Sequence, residues 1–173
     1  RDRSPSRGLG DVYKRQITKL GDAGAIWIIL AVILLLIPKT RKTGAIVVAA
    51  LAVDIVLCNG ILKPFIGRIR PCDINTSIQL LVARPDDFSF PSGHTAASFA
   101  AVAALYFAGE KMLWKPALIL SCFIAFSRLY LYVHYPTDIL GGIVVGILAG
   151  YLGYQMVVKL KVIIDNRNVR KER

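Results

Sequence analysis

The residues of this chain best suited to chemistry gather in three short segments. Lys63, Arg70 and Pro71 mark the first, Pro91-Ser92-Gly93-His94 forms the second, and Ser127, Arg128, His134 and Asp138 make the third. Both histidines of the chain lie in these segments. Lys63, Arg70 and Arg128 gather three cations without enough nearby carboxylates to pair them all closely. Such a group calls for a polyanion, and phosphate suits the arginine fork. Ser92 stands where a helix N-cap belongs, and Gly93 permits close backbone approach, so the amides behind them could hold an anion. His134 and Asp138 are four residues apart across a proline-containing turn, so the carboxylate could fix the imidazole tautomer. His94 is left as a second proton-transfer group. Taken singly, each residue has a plainer use, as a snorkelling arginine, a structural histidine or a capping aspartate. Together they describe phosphoryl chemistry.

The rest of the chain has to hold these segments on one face. Of the 173 residues, 55% are hydrophobic and 19% charged, with mean hydropathy +0.54. The apolar residues fall in blocks, which points to lipid as the solvent and to an all-α, polytopic transmembrane bundle. Five spans are read: one centred on 25–37, then 44–62, 93–108, 116–133 and 139–158. The first block, about 20 Å as a helix, needs to begin near Ile17 to cross a core of about 30 Å. Residues 1–16 are charged and rich in Ser, Pro and Gly, and read as a non-native or disordered tail. Residues 17–160 then form the membrane domain, and 161–173 a basic cytoplasmic tail.

An alternating path puts the 63–92 and 134–138 connections on one side. Lys39, Arg41, Lys42, Lys111, Lys115 and the basic run from Lys159 onward fall on the other. The positive-inside rule makes that second side cytoplasmic and the chemical side extracytoplasmic. The net charge of +11 is thus topological and anion-binding; no basic face with interleaved aromatics suggests nucleic acid. Cys58 and Cys122 sit in apolar runs and Cys72 in an expected surface loop, with no zinc pattern among them. Gly142, Gly146 and Gly150 share one helix face. Packing inside the chain is the favoured use of that face over a homodimer contact, and monomer and homodimer both stay open. Asp54, in mid-span, is expected to make a buried polar contact. Ile78–Val82 is expected at the outer interface.

The three segments resemble the type 2 phosphatidic acid phosphatase superfamily, whose pattern reads K-x6-RP, PSGH and SR-x5-H-x3-D. Here it is Lys63 to Arg70-Pro71, Pro91 to His94, and Ser127-Arg128 through His134 to Asp138. The short chain and the Phe88-Ser89-Phe90 lead look like small bacterial members similar to undecaprenyl-diphosphatases. The family often has six spans, against the five read here. The resemblance implies that His134 is the nucleophile, oriented by Asp138, and that His94 is the general acid and then base. Lys63, Arg70, Ser92, Gly93 and Arg128 would bind the phosphoryl group. It implies no metal or other cofactor, and a lipid phosphate or diphosphate as substrate. Arg68 lies outside the pattern and is expected to touch headgroups. Undecaprenyl diphosphate is the first expectation, with phosphatidylglycerophosphate or phosphatidate as alternatives and lipid phosphotransfer as a further enzymatic reading. A non-catalytic lipid-binding or transport protein is the reading from outside the enzymes.

Overall fold

The computed structural model describes residues 23–171. The expected 1–16 tail and the start of the first span near Ile17 lie outside the described residues. Within them every regular element is a helix, with no strand. α1 covers Ala23–Leu36. α2 starts with Arg41–Asp54, widens to i→i+5 hydrogen bonding over Ile55–Leu62, and ends with the turn Lys63–Ile66. A short α3, Pro71–Ile74, precedes the long connection to α4, Gly93–Ala108. α5 covers Trp114–Tyr130 and α6 Pro136–Lys171. All five apolar stretches are thus helical, and α6 continues well past Val158 into the expected tail. Two helical stretches, Arg41–Ile74 and Pro136–Asn168, are 34 and 33 residues long and apolar enough to cross a membrane.

The bundle is organised around α4, which packs on α6, α2 and α5. Ala96, Ala100, Ala101, Ala103 and Ala104 keep α4 thin and are buried, which lets glycines of α6 reach its backbone. Added to Gly146, a Cβ would lie 2.4 Å from Ala96 O; added to Gly150, it would lie 2.5 Å from Ala103 Cβ. The glycine face is therefore packed inside the chain, as the spacing of the glycines suggested. Around this seam, Trp27, Ile46, Val47, Leu105 and Ala149 form the main apolar core. Its polar exceptions are bonded: Trp27 Nε1 donates to Ser98 Oγ at 2.9 Å, and Thr43 Oγ1 to Glu110 Oε1 at 2.8 Å.

Three local devices deliver the chemical residues to one end. Gly67 (φ 59°) takes the left-handed conformation that closes α2, its amide bonding back to Lys63 O, and so turns the chain away just after Lys63. Arg70 is extended because proline follows it, and Pro71 then opens α3. Tyr132 ends the turn after α5 at φ 58°, an uncommon conformation for a bulky residue. It directs Val133 and His134 back over the bundle.

Cys72 is fully buried, which corrects the expected surface loop: α3 folds inward with Arg70. Cys122, expected to be a packing residue, is exposed on the outside of α5. Asp54 is buried as expected, but its Oδ1 has no hydrogen-bond partner among the described residues.

Candidate active site

The three segments meet at one end of the bundle, around a cavity of about 750 Å³ lined by Lys63, Arg70, Gly93, His94, Arg128 and His134. Below the cations the cavity continues between α1 and α2, where Ala25, Ile28, Leu51 and Ile55 give it a mainly apolar wall with Asp54 and Asn59 as its polar members. One end of the space therefore suits an anion and the other a hydrocarbon chain.

His134 is buried at 5% exposure, held between a cation and a carboxylate. On one side, Arg70 Nη1 lies 3.1 Å from its Nε2. A guanidinium can only donate, so Nε2 must present its lone pair there and the ring proton belongs on Nδ1. On the other side, Nδ1 lies 3.5 Å from Asp138 Oδ2, within ion-pair distance but without a hydrogen bond among the described residues. Burial holds the His134 pKa below the ordinary imidazole value; the Asp138 carboxylate pulls it up, while the charges of Arg70 and Lys63 push it down. Both the lowered pKa and the Arg70 contact favour the neutral imidazole, with the Nε2 lone pair turned toward Arg70.

Asp138 is fully buried and more tightly held than the sequence suggested. Ser89 Oγ donates to its Oδ2 at 2.5 Å, and the Tyr135 amide donates to the same oxygen at 2.8 Å. Arg68 Nη1 donates to Oδ1 at 2.8 Å and to Thr137 Oγ1 at 2.6 Å. The Arg68 guanidinium also lies 4.1 Å from the Tyr135 ring centroid. Arg68 is thus a partner of Asp138, a contact that the sequence did not point to. Neither Arg68 nor Ser89 belongs to the three-segment pattern. The sequence signal for them is proximity, Arg68 two residues before Arg70 and Ser89 three before Ser92, and for Ser89 also its place in the Phe88-Ser89-Phe90 lead.

Two of the three cations share a single carboxylate, one that the sequence did not point to. Asp87 forms ion pairs with both Lys63 and Arg70, the latter at 2.5 Å, and its carbonyl accepts from Arg70 Nε at 2.8 Å. Burial pushes the Asp87 carboxyl up, but the hydrogen bonds and charges of Lys63 and Arg70 outweigh this and hold it below the usual carboxylate range. Arg70 also donates through Nη1 to Val133 O at 2.8 Å, which ties the segment before His134 to the segment after α2. Arg128 lines the same cavity from the end of α5.

Ser92 stands at the N-cap position of α4, but its hydroxyl does not cap the helix. It accepts instead from Thr95 Oγ1 at 3.0 Å, and the Ser92 amide donates to Asp138 O at 3.1 Å. The second and third segments are thereby joined through their backbones. Gly93 faces Lys63, and a Cβ built on it would lie 3.5 Å from Lys63 Nζ. No cluster of three or more His, Cys, Asp or Glu side chains able to hold a metal occurs among the described residues.

Residues 27–161 match the PAP2 superfamily, and this span includes the whole cluster. The chain belongs to the PAP2 superfamily. It is 30% identical over 131 residues to the undecaprenyl-diphosphatase of Sulfolobus acidocaldarius, which covers 76% of this chain and 63% of that protein. Among solved structures it resembles Aquifex aeolicus LpxE, with TM-score 0.67, 27% identity and 88% of each chain covered. It also resembles the transmembrane PAP2-type phosphatidylglycerolphosphate phosphatase of Bacillus subtilis. That match has TM-score 0.63 and 29% identity, over 91% of this chain and 79% of the other. The chain spans about half to two thirds of the length of the curated relatives it matches. PAP2 membership and the two long apolar helices together make it a membrane protein.

Proposed function

We propose that this chain is a metal-independent lipid phosphatase that cleaves a terminal phosphate through a phosphohistidine. The observation that carries the reading is the setting of His134, with Nε2 3.1 Å from the Arg70 guanidinium and Nδ1 3.5 Å from a buried carboxylate. Nε2 attacks phosphorus in line. The P–O bond to the lipid breaks, and His94 supplies the proton that the leaving oxygen takes. His94 then removes a proton from water, which attacks the phosphohistidine and releases inorganic phosphate. Asp138 stabilises the imidazolium formed in the first step. Lys63, Arg70, Arg128, Ser92 and the Gly93 amide bind the phosphoryl oxygens, so catalysis is positioning and electrostatics.

Undecaprenyl diphosphate is the substrate we favour. A doubly charged terminal phosphate suits the cationic end of the cavity and a long isoprenoid its apolar wall, and the Sulfolobus acidocaldarius relative is named for this substrate. The similarity to the Bacillus subtilis structure supports phosphatidylglycerophosphate as the second reading. We further propose five spanning helices and an extracytoplasmic site, from the basic residues at the opposite end.

The deciding experiment assays the detergent-solubilised chain on undecaprenyl diphosphate, phosphatidylglycerophosphate and phosphatidate, each with EDTA. Phosphate release in EDTA, fastest from the diphosphate and blocked by vanadate, is expected. Release that depends on added magnesium would overturn the cationic mechanism, and no release from any lipid would favour a binding or transport protein. For sidedness, Asn75→Cys should react with an impermeant maleimide in intact cells and Lys39→Cys should not. The reverse labelling would move the site to the cytoplasmic face.

A further inference from the structure

We infer that Asp87 is a specificity-determining residue whose carboxylate occupies the phosphoryl position between Lys63 and Arg70, reserving it for doubly charged phosphate heads. The inference rests on the phosphate-site reading above and extends it to what the site refuses.

Lys63 and Arg70 are among the most buried cations of the molecule, with side chains 9% and 4% exposed, whereas the Asp87 side chain is 51% exposed. The carboxylate therefore closes the cation pair from its open side, where an incoming anion has to arrive. It bridges the two cations as two oxygens of a phosphoryl group would, with Oδ2 on Lys63 and Oδ1 on Arg70 Nη2. Two buried cations with no counter-ion are costly, so an internal anion stabilises the resting site.

The backbone around Asp87 is held independently of its carboxylate. Its carbonyl accepts from Arg70 Nε at 2.8 Å, and the next-but-one residue, Ser89, donates its amide to Arg68 O at 2.8 Å and its hydroxyl to Asp138. The Asp87 side chain can thus rotate toward solvent without moving the loop or releasing Asp138. Displacement costs one rotamer change and two ion pairs, and the incoming anion must repay the ion pairs.

Charge decides which anion can do so. A phosphodiester carries one negative charge, as Asp87 does, and exchanging one for the other gains nothing electrostatically. A terminal phosphate carries close to two at neutral pH, so its attraction to Lys63 and Arg70 exceeds that of the carboxylate. This discrimination matters because the connection bearing Asp87 exposes Ile74, Ile78, Leu81 and Phe88, side chains suited to a lipid interface. There the phosphodiester heads of ordinary phospholipids are the most concentrated anions. An unfilled cation site would be occupied by them, and the carboxylate keeps them out.

The test compares the full chain with Asp87→Asn, Asp87→Ala and Asp87→Glu, by calorimetric titration with inorganic phosphate and by turnover in micelles containing phosphatidylglycerol. The Asn and Ala variants should bind phosphate about tenfold more tightly than wild type. Phosphatidylglycerol at levels that leave the wild type unaffected should inhibit both, and Glu should restore both wild-type properties. Equal or weaker phosphate binding by Asn and Ala, with no new sensitivity to phosphatidylglycerol, would make Asp87 merely an organiser of the cations and overturn the inference. Phosphate titration needs no turnover, so the two readings separate. A wild type that hydrolyses no lipid would sink the phosphatase, while the titration would still decide the role of Asp87.

Discussion

Helices α4 and α6 meet in two ways along their length, and the two contacts are built on opposite principles. Along the seam, glycine backbone of α6 lies against the backbone and the Cβ atoms of α4: a Cβ on Gly142, Gly146 or Gly150 would lie 2.8, 2.4 or 2.5 Å from Ser92 O, Ala96 O or Ala103 Cβ. At the site end the same helices are joined by polar groups, the Ser92 amide to Asp138 O and, around it, Ser89, Arg68 and Tyr135 to the Asp138 carboxylate. The seam does no chemistry, but it brings the two helices too close for a side chain between them. The site end adds these polar ties to apolar packing of its own, with Cys72, Val133 and Ile139 buried there, and it stands on the two helices that the seam holds together. Removing a side chain at the site end should therefore cost activity, and adding one at the seam should cost the fold.

The largest effect should come from the site end. His134→Gln keeps a buried polar side chain of similar size but removes the nucleophile, and turnover should fall by about 10⁴-fold or more. The variant should remain monodisperse in detergent with a near wild-type melting temperature. Turnover near the wild-type rate would place the nucleophile elsewhere. His134 is buried, so an alanine there confounds lost chemistry with a cavity, which is why glutamine is the cleaner replacement.

At the seam the converse holds. Gly146→Val puts two methyl groups where Ala96 O, Ala100 N and Phe99 Cβ already lie within 3 Å of an added Cβ. Backbone cannot yield as a flexible side chain does, so a destabilisation of about 3 kcal/mol or more is expected. The signature is a large drop in melting temperature and in folded yield. A normally stable Gly146→Val would show that the helices can separate, and that the seam does not hold together the pair on which the site stands.

A smaller effect distinguishes positioning from binding within the site. Arg68 reaches Asp138 Oδ1 but does not line the cavity that holds Lys63, Arg70 and Arg128. Arg68→Gln should lower kcat about 10- to 100-fold, with KM changed little, because Asp138 loses one of its fixing donors. A rise in KM with kcat intact would make Arg68 a substrate contact after all.

The same contrast explains what could be read before folding. Helices follow periodicity and composition, so Gly93–Ala108 appears within the bounds expected of it, and the i, i+4 glycines announced their packing face. The residues of the three segments, Lys63 to Asp138, do converge, because each is tied to a helix end whose place the bundle fixes. Asp87, Ser89 and Arg68 were missed for a physical reason. Their partners are 24, 49 and 70 residues away in sequence, reached through an irregular connection whose path no repeat encodes. Ser92 shows the related difficulty: its position at the helix start was legible, but its bonding was not, since Thr95 competes for the hydroxyl.

The smallest expected effect is a shift in pH dependence, and it tests whether Asp138 acts on His134 through charge at their 3.5 Å separation. The nucleophile must be neutral, so the acid limb of kcat/KM follows the His134 pKa in the free enzyme. Burial is the largest influence and lowers that pKa, so the protonated form should gain weight only below the ordinary imidazole range. Activity lost as pH falls should thus be lost late. Asp138 opposes burial by favouring the imidazolium. Asp138→Asn removes that opposition, so the pKa should fall further and the acid limb move to lower pH, even as the plateau rate drops. Substrate ionisation contributes equally to both proteins, so the difference between the two profiles isolates the histidine. An acid limb that moves upward in Asp138→Asn, or does not move, would mean that the carboxylate serves only as an anchor for Arg68, Ser89 and the first turn of α6.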